Sequence, residues 1–84
     1  MFLHVTDLVY LKDYQLRLEF SDGKVKELDL KDELYGEIFE PLRDIETFKK
    51  VYVNSDTGTI EWPNGADFAP EFLYKTGRQI RKSA

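Results

Sequence analysis

Residues 15–30, with the sequence QLRLEFSDGKVKELDL, contain the clearest strand pattern in the chain. Polar residues alternate with Leu16, Leu18 and Phe20, and this period of two is typical of a half-buried β-strand. The Ser-Asp-Gly sequence at 21–23 is typical of a tight turn, because glycine adopts a positive φ without steric strain. The segment therefore predicts an antiparallel hairpin centred on that turn.

The residues on either side of this turn extend the hairpin into a three-stranded meander. Residues 5–11 are rich in β-forming side chains and are joined to the next strand by a short polar turn, so they predict a first antiparallel strand. The third strand is expected over residues 24–30. Its apolar positions change face after Val25, which predicts a bulge or an early end of the strand near Glu27.

The middle of the chain predicts short helical turns. Residues 31–35 are expected to form one turn that ends at Gly36. Residues 38–42 are expected to form an extended linker, because the residue before a proline is biased away from the helical conformation. Asp44 is a candidate N-cap for a short helix that runs through Lys49 and covers the sheet.

The last third of the chain predicts a second hairpin and a second helix. Residues 51–53 and 59–62 are β-rich and flank a polar loop, and Pro63 ends the second strand by removing a hydrogen-bond donor. Pro70 suits the first turn of a helix that runs to Gly77. The predicted fold class is α+β, with a small antiparallel sheet, made of a meander and a C-terminal hairpin, packed with two or three short helices.

Length and composition indicate one small domain. The 84 residues allow one core, which we assign to residues 1–77, with residues 78–84 as a basic and flexible C-terminal tail. The sequence contains no cysteine, so it predicts neither a disulfide framework nor a thiolate metal site, and it fits a cytoplasmic protein. The first residues lack the pattern of a signal peptide, and no membrane span is expected.

Charge is distributed unevenly along the chain. The net charge is −4, and all sixteen acidic residues precede Lys75. An acidic body repels polyphosphate, so nucleic-acid binding is not expected of the domain as a whole. The alternative is a weak nucleic-acid contact through Arg78, Arg81 and Lys82 of the basic tail.

The most unusual stretch of the sequence is IEWPNGADFAP, residues 60–70. Pro63, Asn64 and Gly65 predict a turn, because proline fixes φ at its second position while asparagine and glycine accept a positive φ. Asp67 is expected to act as a structural cap that accepts hydrogen bonds from the amides of the turn or from the start of the following helix. The alternative is a recognition loop, since binding residues often lie on loops. The candidate binding residues are Trp62, Asn64, Asp67 and Tyr74.

Three segments carry a resemblance to a known family. In order and spacing, FSDGKVKELDL, GEIFEPLRDIETFKKVYV and GTIEWPNGADFAPEFLY resemble a small bacterial family of unknown function, numbered twenty-four forty-two. The most specific element is W-P-N-G-A-D at residues 62–67. The resemblance implies a compact α+β domain that stands alone, often beside a second small protein, or forms the sensor half of a helix-turn-helix protein. It implies no catalytic residue, because the family has no established activity.

The reactive side chains form no catalytic motif. His4 is the only histidine, and no serine lies in a nucleophile-elbow context, so nucleophilic catalysis is not predicted. The sequence contains neither a phosphate-binding glycine-rich motif nor the spacing of a calcium loop. No catalytic residue, cofactor or metal ligand is therefore assigned. The alternative is a small-ligand binder or accessory enzyme that uses the carboxylates of Glu61 and Asp67.

The aromatic content favours an interaction function. The chain contains six Phe, five Tyr and one Trp, which is more ring area than a core of this size encloses. Exposed Tyr and Trp are enriched at protein interfaces, so we expect an exposed apolar patch that includes Trp62 or Tyr74. The predicted function is a non-enzymatic protein-interaction or regulatory module. Its partner would be a small protein encoded nearby or a second copy of the chain.

Overall fold

The computed structural model of the chain describes residues 2–80, and its first half is an antiparallel meander. Strand β1 spans Val5–Lys12, β2 spans Gln15–Phe20 and β3 spans Val25–Asp29. Each strand pairs with the next in antiparallel orientation, so β2 lies in the middle of the three-stranded meander. The predicted meander and the α+β fold class are confirmed.

Strands β2 and β3 pair without interruption, which corrects the expected bulge or early strand end near Glu27. Between Val25 and Leu28, the inward-facing position is occupied by Lys26. Its Nζ lies 3.7 Å from the centre of the Tyr74 ring and donates to the Tyr74 carbonyl oxygen at 2.6 Å. The apolar residues therefore change face without a bulge, because Lys26 occupies the inward position and makes a cation–π contact with Tyr74. The irregular pairing lies in β1 instead.

A short strand near the C-terminus completes the four-stranded sheet. Strand β6, Arg78–Gln79, pairs antiparallel with β3 and gives the sheet the order β1-β2-β3-β6. The first two residues after Gly77 therefore pair with the sheet, because the edge of β3 supplies hydrogen-bond partners to them, and the domain boundary at Gly77 stays a prediction. Arg81 and Lys82, which belong to the expected basic tail, lie outside the described residues.

The second hairpin forms a separate two-stranded sheet beside β1. It consists of β4, Tyr52–Asn54, and β5, Thr59–Glu61. The Val5 N–H donates to the Gly58 carbonyl oxygen at 2.8 Å and joins this hairpin to β1. Gly58 has a φ of 75°, and a Cβ at this position would lie 2.7 Å from the Cβ of His4. The close approach of the hairpin loop to β1 therefore requires glycine.

Two short α-helices pack against the sheets. Helix α1 spans Ile45–Phe48 and helix α2 spans Pro70–Thr76. The Asp44 carboxylate accepts from the Thr47 N–H at 3.1 Å and from the Thr47 hydroxyl at 2.8 Å, which confirms the predicted N-cap. Neither helix within residues 2–80 has the length and apolar composition of a membrane-spanning segment.

Two 3₁₀ turns connect β3 to α1. The first, Lys31–Glu33, agrees with the predicted helical turn. The second, Glu40–Arg43, corrects the extended linker expected over residues 38–42. Pro41 fits the first turn of a helix because that position needs no backbone donor, and the turn places Leu42 in the core.

One hydrophobic core lies between the inner face of the four-stranded sheet and the elements that cover it. The alternating leucines of β2 enter this core, as the period of two predicts. The buried apolar residues are Val5, Leu16, Leu18, Phe20, Leu28, Leu30, Leu34, Leu42, Phe48, Val51, Ile60, Trp62, Ala66 and Leu73.

Candidate functional site

The Pro-Asn-Gly segment after β5 forms a tight loop that is closed by backbone hydrogen bonds. The Gly65 N–H donates to the Trp62 carbonyl oxygen, and the Trp62 N–H donates to the Ala66 carbonyl oxygen, both at 2.9 Å. Gly65 has a φ of 90°, which residues with a side chain rarely adopt. Beyond the loop, Glu61 and Asp67 form a single antiparallel bridge. The loop therefore reverses the chain at the end of β5.

Asn64 joins this loop to a segment that is distant in the sequence. Its Nδ2 donates to the Ile38 carbonyl oxygen at 2.9 Å, and its Oδ1 accepts from the Ala66 N–H at 3.0 Å. Both ends of the amide group are bonded, so the side chain fixes the loop internally and also against the turn that precedes α1. The predicted binding role of Asn64 stays a prediction.

Trp62 lies in the core and not on the surface. Its side chain is 0% exposed, and its Nε1 donates to the Phe48 carbonyl oxygen at 2.9 Å. The indole contacts the rings of Phe48 and Phe68, with ring centres 5.6 and 6.0 Å apart. The expected exposure of Trp62 is therefore wrong, because the core provides both apolar neighbours and a hydrogen-bond acceptor for the indole N–H.

Asp67 is exposed and does not cap the following helix. Helix α2 begins at Pro70, and Ala69 occupies the N-cap position without any side-chain hydrogen bond to the helix. The expected cap is wrong because Asp67 lies before the N-cap residue, and because proline offers no N–H for a carboxylate to accept. The predicted binding role of Asp67 is a separate matter and stays a prediction.

Tyr74 is half-buried and connects α2 to the turn between β2 and β3. Its ring packs edge-on against Phe20 with ring centres 5.0 Å apart, and its hydroxyl donates to Oδ2 of Asp22 at 2.6 Å. The hydrogen bond from Tyr74, together with that from the Lys24 N–H, holds the pKa of Asp22 below its ordinary value. Tyr74 therefore stabilises the fold through its ring and its hydroxyl, and its binding role stays a prediction.

Glu61 takes part in a hydrogen-bond cluster on the second hairpin. Its Oε2 accepts from the Tyr52 hydroxyl at 3.0 Å, and its Oε1 accepts from Asn54 Nδ2 at 2.9 Å. The hydrogen bond to Glu61 raises the pKa of the Tyr52 hydroxyl, because the neutral phenol is the donor. Both carboxylate oxygens therefore bond across the hairpin, while the exposed Asp67 lies opposite Glu61 in the backbone bridge.

Three phenylalanines form a stack at the surface beside the loop. We call Phe39, Phe68 and Phe72 the aromatic stack, because their rings lie face to face, with centres 4.7 Å apart between the first two and 5.3 Å between the last two. All three side chains are half-buried. The stack is therefore a partly exposed apolar surface, and Phe68 also contacts the buried indole of Trp62.

Two exposed apolar residues precede the stack in the sequence. Ile38 is 46% exposed and Tyr35 is 70% exposed. Ile38 is next to Phe39 in the chain and is tied to the loop through its carbonyl oxygen by Asn64. Sequence reasoning did not single out Ile38 or the stack. The sequence carries a signal for two rings of the stack, the repeated Phe of DFAPEF, whose four-residue spacing places both rings near the start of one helix.

A cavity lies elsewhere, beside β3 and β6 of the four-stranded sheet. Its volume is about 340 Å³. Its lining residues are Gln15, Glu27, Leu28, Asp29, Thr76 and Arg78. Arg78, a residue of the expected basic tail, thus lines the same cavity as Glu27 and Asp29, and Trp62, Asn64, Asp67 and Tyr74 do not line it. Within residues 2–80, no three His, Cys, Asp or Glu side chains are grouped as a metal site requires.

Comparison with known proteins yields one match. A family model described as "Protein of unknown function (DUF2442)" matches residues 5–79. This match agrees with the resemblance seen in the sequence, and it extends through β6. No curated protein and no solved structure matches the chain.

Proposed function

We propose that the chain, which belongs to the DUF2442 family of proteins of unknown function, is a non-enzymatic protein-interaction module. Its contact surface would consist of the aromatic stack, Ile38 and the Pro63–Asp67 loop. The module would act as a regulatory component of the bacterial cytoplasm. The absence of cysteine supports a reducing compartment.

The observation that carries this proposal is the half-buried state of the aromatic stack. Three stacked rings lie at the surface, where each leaves part of its apolar area in contact with water. A continuous apolar surface of this kind is costly to solvate, and aromatic side chains are enriched in protein interfaces. A partner that covers the stack would remove that area from water.

The backbone around the stack is held in place before any partner binds. Asn64 connects the loop to Ile38, and the backbone bonds of the loop restrict Gly65. A surface that is already ordered loses little conformational entropy on binding. The loop residues Asn64 and Asp67 would then contribute polar contacts at the edge of the stack, which is how the candidate binding residues enter this proposal.

A capture experiment with two matched variants tests the proposal. Tagged wild-type chain, Ile38→Ser and Val9→Ser are each used to recover proteins from the source cell. Val9 is the control because its exposed fraction, 45%, is nearly that of Ile38. It pairs with Arg17 on the face of the four-stranded sheet that points away from the core. Circular dichroism first verifies that both variants are folded.

We expect the wild type and Val9→Ser to recover the same protein in equal amounts. Ile38→Ser should recover at least about tenfold less of that protein. Loss of one buried apolar side chain from an interface weakens binding by about this factor. The proposal is contradicted if no protein is recovered with the wild type. It is contradicted as well if both variants recover the partner equally.

A further inference from the structure

We infer that the partner presents a cationic amphipathic segment, with apolar side chains flanked by Lys or Arg, to the aromatic stack and Ile38. This inference rests on the proposed function and specifies the chemistry of the partner at the same surface. It also chooses between the two kinds of partner that the sequence leaves open, a heterologous protein and a second copy of the chain.

Each apolar residue of the contact surface has an exposed carboxylate beside it in the chain. We call this set of four the acidic rim. Glu37 precedes Ile38 and Glu40 follows Phe39, while Asp67 precedes Phe68 and Glu71 precedes Phe72. The members of the acidic rim are Glu37, Glu40, Asp67 and Glu71, and all four are exposed.

Residues 2–80 form no ion pair with the rim carboxylates. The ion pairs that lie within residues 2–80 join Arg17 to Glu27 at 2.7 Å and Lys49 to Glu46 at 3.5 Å, so neither involves the rim. The rim side chains also accept no hydrogen bond from the part of the chain that the structure describes. Four exposed carboxylates therefore adjoin the apolar residues along the chain, and a partner with positive charges beside its apolar side chains would complement both.

A symmetric homodimer is disfavoured by this arrangement. In a two-fold dimer the same surface lies on both sides of the interface, so the rim of one copy would face the rim of the other. Like charges brought together at an interface oppose association. Nucleic acid is disfavoured for the same reason, because phosphate is repelled by carboxylates. A segment that carries apolar residues and positive charges satisfies both parts of the surface.

Two synthetic peptides serve as probes for the intact chain. Both form an amphipathic helix with the same leucine face, and they differ only in having lysine or glutamate at the remaining positions. Binding is measured by fluorescence anisotropy at about 0.1 M and about 1 M salt, between which the Debye length falls from about 10 Å to about 3 Å. We expect binding of the lysine peptide alone, weakened about tenfold at the higher salt concentration.

A pair of neutralised variants locates the charges that matter. The rim variant carries Glu37→Gln, Glu40→Gln, Asp67→Asn and Glu71→Gln. The control variant removes the same number of charges elsewhere through Glu19→Gln, Asp32→Asn, Glu33→Gln and Asp56→Asn. Each lost exposed ion pair weakens binding by a factor of roughly 1.4–5. We therefore expect the rim variant to bind the lysine peptide about tenfold more weakly than the wild type, and the control variant to stay within about threefold.

The outcomes separate this inference from the proposed function. Equal weakening by the rim and control variants would show that the peptide senses only net charge, and would overturn the inference. The inference would also be overturned if the lysine peptide did not bind. It would be overturned as well if sedimentation showed a concentration-dependent dimer of the wild type that Ile38→Ser abolishes. If Ile38→Ser loses the captured partner while the rim variant retains it at wild-type strength, the inference fails and the proposed function stands. If neither variant affects that capture, both fail.

Discussion

Trp62 and Phe68 lie in the same short stretch, and the fold places the two rings in opposite environments. Trp62 is fully enclosed, and its indole N–H is bonded to the Phe48 carbonyl oxygen. Phe68 touches the indole from the outside and leaves part of its ring at the surface, between Phe39 and Phe72. The beginning of the stretch therefore belongs to the core, and its end belongs to the surface.

This difference separates residues that build the fold from residues that are available for contact. A distinctive sequence such as W-P-N-G-A-D attracts a functional interpretation as a whole, yet its largest side chain is inaccessible to any partner. Asn64 lies at the boundary, because it bonds the loop to the exposed Ile38 segment. The inward end of the stretch should thus govern stability, and the outward end should govern binding.

The largest effect is expected at Trp62. Trp62→Ala should lower the free energy of unfolding by about 3–5 kcal/mol, because it leaves a cavity in the core and an unpaired carbonyl oxygen. Phe72→Ala should cost less than half as much, since part of that ring is already exposed to water. Chemical denaturation followed by circular dichroism measures both variants. Equal destabilisation by the two substitutions would contradict the division between core and surface.

The next largest effect is expected at the boundary residue. Asn64→Ala removes the hydrogen bonds to Ile38 and Ala66 and should destabilise the protein by about 1–3 kcal/mol. Asn64→Asp keeps the acceptor for the Ala66 N–H but loses the donor to Ile38. Amide hydrogen exchange should therefore accelerate around Ile38 in both variants, while exchange at Ala66 accelerates in Asn64→Ala alone. Unchanged exchange near Ile38 would show that Asn64 does not hold the two segments together.

A smaller effect on stability, with a defined pH dependence, is expected at Tyr74. Its ring is half-buried like that of Phe68, but its hydroxyl donates a hydrogen bond to Asp22. Because the Tyr74 hydrogen bond lowers the pKa of Asp22 in the folded state, it contributes stability above the ordinary Asp22 pKa of 3.8. That contribution is lost as the pH falls through the lower folded-state pKa. Tyr74→Phe should therefore lower the Tm at neutral pH, and the difference from the wild type should shrink in acid. A difference that is constant with pH would refute the link to Asp22.

The smallest effect is expected at Asp67. Because its side chain caps no helix, Asp67→Ala should change the free energy of unfolding by no more than about 0.5 kcal/mol. Asp44→Ala is the matched comparison, since that carboxylate accepts two hydrogen bonds from Thr47 and should cost about 0.5–2 kcal/mol. Thermal denaturation of both variants measures the difference. An Asp67→Ala variant as unstable as Asp44→Ala would restore the capping role.

Local patterns in the sequence were sufficient for much of the fold. The alternation in Gln15–Phe20 and the turn after it predicted the meander, and Asp44 predicted the start of α1, because both signals depend on residues within a few positions. The position of Lys26 was not predictable in this way. Its inward place depends on the Tyr74 ring, which is contributed by a distant helix.

The candidate site was predictable only in part, for the same physical reason. The Pro-Asn-Gly turn is local, and the sequence indicated it. The aromatic stack joins Phe39 to Phe68, and Trp62 is enclosed by residues from several elements, so neither the exposure of a ring nor its neighbours can be inferred from spacing. Long-range packing decides which of many aromatic residues remain at the surface.

The most direct test of the account is a hydrogen-exchange footprint of the chain, alone and in complex with the protein that it recovers from the source cell. The account predicts slower exchange in the complex at residues 38–40 and 67–72, with no change along the outer face of the sheet at Val9 and Arg17. Protection confined to that outer face, or to the cavity beside Arg78, would contradict the assignment of the aromatic stack as the contact surface.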